Sequence, residues 1–434
     1  MLLQFFFVMV AIIVGARLGG IGLGVMGGIG LGILTFGFGL QPTSPPIDVM
    51  LMIVAVIAAA GCMQAAGGLD LMVRQAEKLL RRHPSRVTLL SPLVTYTFTF
   101  LAGTGHVAYS VLPVIAEVAR ETKIRPERPL SIAVIASQQA ITASPISAAT
   151  VALLSLLAGY QISLLHILMI SIPATLCGVL IGALFAMRMG KELELDPEYQ
   201  RRLAEGVLTE NPSSETTRTQ LHPWKPLLSV IIFLTATLFI VLFGSFDSWR
   251  VIGGESLSMA PIIEILMLSA AALILLTTGT SGLKAAQGSV FGAGMQAVVA
   301  IFGIAWMGDT FINGNIDALR ASIEGVVTSM PWLFGIALFV MSILLYSQAA
   351  TVRALMPLGL ALGIQPMMLI ALFPAVNGYF FIPNYPTVVA AINFDRTGTT
   401  RIGKYVLNHS FMMPGLIATF VAVILGLILV HIFF

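Results

Sequence analysis

The hydrophobic pattern along the chain is a succession of long apolar runs, not the short alternating faces of a water-soluble domain. Runs of 18 or more apolar residues recur from end to end, and about 20 residues of helix are needed to cross a bilayer core. The pattern predicts spans over 1–14 (closed by Arg17), 21–40 and 47–67. Gly24 and Gly28 in the second form a small-xxx-small pair that favours close helix contact. Residues 70–82 change character. Leu71, Leu79 and Leu80 share a helix with Arg74, Lys78, Arg81 and Arg82, which predicts an amphipathic helix on the membrane surface. Glu77 and Arg81 are spaced to pair along it.

Two later stretches are apolar but interrupted. Residues 87–119 hold Ala102-Gly103-Thr104-Gly105-His106 in the middle, and each half is too short to span. The expectation is a re-entrant hairpin with its tip there. Residues 129–157 are broken by Thr142-Ala143-Ser144-Pro145-Ile146-Ser147, and 161–187 form another span. Residues 191–222 are polar, with Pro197, Pro212 and a Ser/Thr run, and predict a cytoplasmic linker with a short helix over 197–208.

After the linker the order repeats. Three spans are expected within 226–307, a polar surface segment over 315–327, and a second hairpin over 331–363 with its break at 346–351. A broken span over 366–394 and a last span over 405–434 follow. In the broken span, Pro383 and Pro386 lack backbone donors, and Asn377 and Gly378 add a polar break. The helix should open there or, at the least, kink. The prolines Pro113 and Pro357 of the two hairpins correspond, as do Pro145 and Pro386 of the two broken spans, at offsets of 244 and 241 positions. A hairpin returns to its own side, so each half crosses five times. Five is odd, which turns the second half upside down. The expected fold is an all-α polytopic membrane protein of two inverted repeats, 1–190 and 223–434, each of five spanning helices and one re-entrant hairpin, with broken helices at the midplane.

Charge supports this layout. With the helix at 70–82 inside, every Lys and Arg of the 23 falls on the inner side except Arg250, Arg320 and Arg353, as retention of positive charge requires. Both termini are then outside. Only 10% of residues are charged and 57% are hydrophobic, whereas soluble domains carry roughly 25% charged residues. Met1 to Gly15 lacks the basic start of a cleavable signal. Cys62 and Cys177 have no ligand spacing. No nucleophile–base pair, metal cluster or nucleotide loop is apparent, so no enzyme, cofactor or nucleic-acid partner is expected.

The two tips and two breaks should converge on a ligand site. The first half offers Thr104, Gly105, His106, Thr142, Ser144 and Ser147, and the second offers Ser347, Gln348, Thr351, Asn377, Asn384 and Thr387. These are neutral groups beside helix ends, and helix N-termini favour carboxylate oxygens. A site shared between two halves suits a ligand with an anionic group at each end. Arg353 is either a carboxylate partner or a residue snorkelling to the outer surface. His106 is a ligand or proton contact, or a hydrogen-bonded interior histidine. Glu264 is a proton site or interfacial, and Asp309 is expected to cap an outer helix end. Glu77, Arg81 and Arg125 stand at the inner entrance, where they attract anions or simply hold the inside charge. Asp395 opens an inner turn that gates, contacts a partner or only caps a helix.

Several stretches resemble the anaerobic C4-dicarboxylate transporter (Dcu) family: GARLGG (15–20), MQAAGGLD (63–70), EKLLRR (77–82), AGTGH (102–106), ITASPISAA (141–149), SQAATVRALMP (347–357), NGYFFIPNYPT (377–387) and FDRTGTTRIGK (394–404). They run from the first span to the last. The resemblance implies a bacterial inner-membrane carrier, its outer termini then periplasmic, exchanging fumarate, malate or aspartate for succinate, with proton-coupled uptake possible. It also implies a hairpin-bearing transport domain moving against a scaffold in the manner of an elevator, within the wider ion-transporter superfamily. A homodimer surrounded by membrane lipid, and in some members a sensor histidine kinase partner, are implied as well. The alternatives are a proton- or sodium-coupled symporter of another anion and a membrane sensor that does not transport.

Overall fold

The computed structural model describes residues 1–434 other than 19–20, 207, 209–223, 316, 319–330, 346, 384 and 405–406. Most of the polar segment expected at 315–327 therefore lies outside the described residues, as does Asn384. The first half runs α1 (Leu2–Leu18), α2 (Gly22–Gly32), α3 (Ile47–Ala65), α4 (Gly68–Arg82), α5 (Val87–Ala102), α6 (Ala108–Glu121), α7 (Glu127–Ile141), α8 (Ala148–Leu157) and α9 (Leu164–Ala186). A short α10 (Pro197–Ala204) follows in the linker. The second half runs α11 (Trp224–Ser245), α12 (Met259–Thr278), α13 (Gly282–Ala286), α14 (Ser289–Gly314), α15 (Pro331–Leu345), α16 (Gln348–Ala361), α17 (Pro366–Leu372), α18 (Pro386–Phe394) and α19 (Met412–Phe433).

Among the described residues α9, α11, α12, α14 and α19 are each long and apolar enough to cross a membrane, and α3 with α4 makes a further candidate bent by 68°. That bend falls at Gly67, whose φ of 86° is a left-handed turn open to glycine. Beyond it, α4 buries Leu69, Met72, Ala76 and Leu80 along one stripe and leaves Arg74, Lys78, Arg81 and Arg82 exposed, as expected of an amphipathic helix. Leu79 falls on the exposed face.

The interrupted stretches are pairs of short helices. α5 has 16 residues and α6 has 14. At 1.5 Å per residue each falls short of the ~30 Å apolar thickness of a bilayer. Gly103 ends α5 in a left-handed conformation (φ 69°). α15 and α16 form the corresponding pair, and Ser347 caps α16 by accepting from the backbone N–H of Ala350. The helix thus restarts at Gln348, so the second interruption is shorter than the expected 346–351.

Several boundaries differ from the sequence reading: α1 continues to Leu18, past the expected 14, and α10 ends at Ala204, short of the expected 208. α14 continues to Gly314, seven residues past the expected end, so Asp309 lies within a helix and does not cap one. In the last broken span, α-helix gives way at Phe373, before Asn377. Pro374 has no N–H to continue the ladder, and the chain winds tightly from Phe373 to Phe380 with Asn377 outside helical geometry (φ −96°, ψ 25°). It restarts at Pro386, where a first-turn proline sacrifices no hydrogen bond. Finally, α19 begins at Met412, not at Tyr405.

Two packings position the interior. α7 is wrapped on all sides, with every residue from Pro129 to Ala140 buried; α5 and α9 flank it, and α19 packs on α9. Elsewhere α2 meets α14 backbone to backbone. A Cβ on Gly24 would lie 2.0 Å from the Val299 carbonyl oxygen, and one on Gly303 would lie 1.8 Å from that of Gly24. Gly27 faces Gly303 as well, while Gly28 meets nothing within 4 Å. The close contact is therefore made by Gly24 and Gly27, not by the expected Gly24 and Gly28. Gly303→Val should destabilise the protein in a detergent melt by about 1–3 kcal/mol, the usual cost of overpacking, whereas Gly28→Ala should leave the melting temperature unchanged.

Candidate functional site

The two breaks meet. Asn377, in the wound segment 373–380, donates from Nδ2 to Gln139 Oε1 (3.2 Å) and Thr142 Oγ1 (3.3 Å) at the end of α7, and to its own Pro374 carbonyl (3.1 Å). Its Oδ1 accepts from Gln348 Nε2 at 3.0 Å. Gln348, the first residue of α16, also donates to the Tyr379 hydroxyl (2.5 Å) and the Gln138 carbonyl (3.3 Å). Gln139 Nε2 in turn reaches Thr419 Oγ1 on α19 at 2.9 Å. Three expected residues, Thr142, Gln348 and Asn377, are thus joined in one buried network although Thr142 and Asn377 are 235 positions apart in the chain. The side chains that form this network among the described residues are neutral amides and hydroxyls.

The loop between α5 and α6 abuts the same helix. Ser137 Oγ bonds Thr99 Oγ1 (2.7 Å) and donates to the Gly105 carbonyl (3.4 Å). A Cβ on Gly103 would meet Ile146 at 2.9 Å, so this segment lies against the loop between α7 and α8. Thr104 is half-buried; the side chain of His106 lies outside the described residues.

Other expected residues have spent their hydroxyls on the backbone. Ser144 donates to the Phe100 carbonyl (2.6 Å), tying the break to α5. Ser147 donates to Ile141 (2.5 Å) and caps α8 through Thr150 N–H. Thr351 donates to Ser347 (2.8 Å). Thr387 is buried, and its hydroxyl has no hydrogen-bond partner among the described residues.

Arg353 is turned away from the network. At 100° per residue it lies about 140° around α16 from Gln348. Its Nη2 is 3.5 Å from Asp309 Oδ2 on α14, with 13% and 17% of the two side chains exposed. It neither joins the Gln348–Asn377 network nor reaches an open surface. Glu264 is half-buried on α12, which packs on α3.

The expected entrance residues divide into separate clusters. Arg81 bridges Glu77 (2.9 Å), Glu117 (3.5 Å) and Glu121 (2.6 Å), joining α4 to α6. Burial pulls its pKa down, but the Glu77 hydrogen bond and the charges of Glu121 and Glu117 outweigh that and hold it above the usual arginine value. Arg125, only 4% exposed, lies between Glu127 (2.5 Å) and Asp196 (2.6 Å). Its charge is already answered by two carboxylates. Glu127 accepts from Ser410 (2.6 Å), and its N–H donates to Thr399 Oγ1 (3.2 Å). Asp395 is buried and accepts from Thr397 (backbone, 2.9 Å, and hydroxyl), Thr399 Oγ1 (2.8 Å) and Thr400 N–H (2.6 Å). Arg202 of α10 donates to the Arg396 carbonyl at 2.8 Å. The linker is thus clasped onto the turn after α18.

The residues missed by sequence reasoning are Gln138, Gln139 and Tyr379. A pair of adjacent glutamines inside an apolar run was the available signal, as was a tyrosine two positions after Asn377. No group of three or more His, Cys, Asp or Glu fit to hold a metal occurs among the described residues.

Comparison with known proteins places these features in context. Residues 1–434 match the family model described as anaerobic C4-dicarboxylate membrane transporter. The anaerobic C4-dicarboxylate transporter DcuB of Escherichia coli O6:H1 is 42% identical over 432 residues, 98% of this chain and 97% of the relative. The C4-dicarboxylate transporter DcuA of Wolinella succinogenes is 44% identical over 425 residues, 97% of each chain. DcuA of Escherichia coli K12 is 44% identical over 432 residues, 99% of each chain.

The clasp around Arg125 should respond to acid in one direction. Burial would raise the Asp196 pKa, but the hydrogen bond from Arg125, the N–H of Tyr199 and the Arg125 charge hold it below its ordinary 3.8. A depressed carboxyl stabilises the fold above its unfolded pKa and loses that contribution as pH falls through the folded one. Relative to the intrinsic rate at each pH, hydrogen exchange over 193–204 should therefore stay slow at neutral pH and rise only below about pH 3.8. Arg125→Ala should raise it at pH 7, because two buried carboxylates left without their cation cost about 3–5 kcal/mol.

Proposed function

The chain belongs to the anaerobic C4-dicarboxylate membrane transporter family, and from that membership we propose that it exchanges C4-dicarboxylates across the bacterial inner membrane, with fumarate, malate or aspartate entering as succinate leaves. The observation that carries this reading is the Gln348–Asn377–Thr142 network, which joins two opened helices from opposite halves of a membrane protein. Non-helical backbone at membrane depth survives where it is buried in protein or lines a cavity. Neutral donors bind a dianion without holding it as tightly as fixed cations would. The N-termini of α8 and α16, which pack together, add the partial positive charge that a carboxylate seeks.

In this reading 1–190 and 223–434 are inverted repeats, α5–α6 and α15–α16 are re-entrant hairpins, and both termini are periplasmic. The hairpins and broken spans make up a moving transport domain, and the spans within 1–67 and 226–307 form its scaffold and dimer face. Thr104, Gly105, His106, Thr142, Ser144, Ser147, Ser347, Gln348, Thr351, Asn377, Asn384 and Thr387 surround the substrate. Arg353 braces the moving α16 against α14 through Asp309, so it governs movement more than affinity.

Counterflow in proteoliposomes tests the exchange. Labelled fumarate should enter succinate-loaded vesicles and not empty ones; equal entry into both would exclude obligate exchange. Asn377→Ala should raise the fumarate KM tenfold or more, the loss of one to two buried hydrogen bonds at about 1.4 kcal/mol per tenfold. Arg353→Ala should lower turnover and leave that KM within about twofold. A tenfold rise in its KM would return Arg353 to the substrate.

A further inference from the structure

Gln138 has a buried side chain whose hydrogen-bonding capacity is unspent. It is 2% exposed, yet neither its Nε2 nor its Oε1 has a partner among the described residues. Exchanging the amide oxygen and nitrogen does not help, because both ends are unmet. A buried polar atom left in that state costs about 1–3 kcal/mol, so the amide calls for one acceptor and one donor.

Its direction follows from its neighbours on α7. Ser137 and Ile141 face the loop between α5 and α6: a Cβ on Gly105 would lie 3.3 Å from Ile141 Cδ1 and 3.4 Å from Ser137 Oγ. Gln139 and Thr142 face Asn377. With 100° between successive residues, position 138 lies between those two faces. Its amide is therefore directed into the interval between that loop at 103–107 and the wound segment at 373–380. The Gln138 carbonyl is itself held by Gln348 at 3.3 Å, which fixes this turn of α7 against the network. Thr387, an expected site residue on α18 packed against α6 and α7, is likewise buried with its hydroxyl unmet among the described residues.

We propose that Gln138 reads the substituent beside the substrate carboxylate: Nε2 donates to the carboxylate, and Oε1 accepts from an ammonium or hydroxyl at the adjacent carbon. The inference rests on the dicarboxylate reading above and deepens it. Fumarate and succinate, as dianions, present acceptors only, so they can satisfy Nε2 and not Oε1. A 2-amino or 2-hydroxy dicarboxylate satisfies both. Gln138 thus favours the substituted substrates over the plain ones, and the amide is the group through which one site discriminates among acids of the same length.

The test measures the ratio of kcat/KM for L-aspartate to that for fumarate in one proteoliposome preparation. Gln138→Leu, which removes both amide atoms, should lower the ratio roughly tenfold, about the value of one hydrogen bond to a charged group. Gln138→Glu, which keeps an acceptor and loses the donor, should raise it. An unchanged ratio in Gln138→Leu with fumarate uptake retained overturns the proposal. If that variant does not fold, a ratio in Gln138→Glu that falls or stays level overturns it equally. Wild-type vesicles that take up neither acid would instead defeat the dicarboxylate reading.

Discussion

A polypeptide that opens its helix inside a membrane must find hydrogen-bond partners in its own side chains, since hydrocarbon offers none. The rest of this structure depends on how that demand is met. The segment 373–380 and the end of α7 are both opened, and each supplies what the other lacks: Asn377 binds Gln139 and Thr142, and Gln348 binds Asn377 and Tyr379. Neither break would be tolerable alone. The burial of α7 from Pro129 to Ala140 and its wrapping by α5 and α9 follow from the need to hold these partners in register and dry.

Much of this was legible in the sequence because prolines, glycines and isolated polar residues are local signals. Pro386 and Asn377 marked the last break, and Gly103 the interruption between α5 and α6. The shorter-range consequences were harder to read. Pro374 unwinds the chain more than two turns before the more conspicuous Pro383, because its missing N–H acts on the residues before it. Gly24 and Gly28 looked like a contact pair by spacing, but the partner helix, with Val299 and Gly303, selects Gly24 and Gly27. What could not be read at all was pairing between distant residues. Gln139 and Asn377 become partners only once two helices cross, and nothing in either local sequence records that angle.

Charged residues show the same limit more sharply. Arg125 and Arg353 stand out in a chain that is 10% charged, and an isolated cation invites assignment to an anionic ligand. In the fold, Arg125 is enclosed by Glu127 and Asp196, and Arg353 faces Asp309. Their acidic partners come from 2, 71 and 44 positions away in sequence. The clasp thus unites the linker, the start of α7 and the turn after α18, and it explains why so polar a stretch as 190–204 packs against an otherwise apolar protein.

The two serine caps have a kinetic meaning. Ser147 and Ser347 already place an oxygen on the first-turn N–H groups of α8 and α16. In the proposed site, an oxygen arriving at such a helix end would trade places with a resident one instead of filling a bare socket, so the net gain would be small and the return path equally shallow. Grip of that kind is poor for a receptor, which profits from retention. It suits a ferry, whose throughput is limited by how readily it lets go.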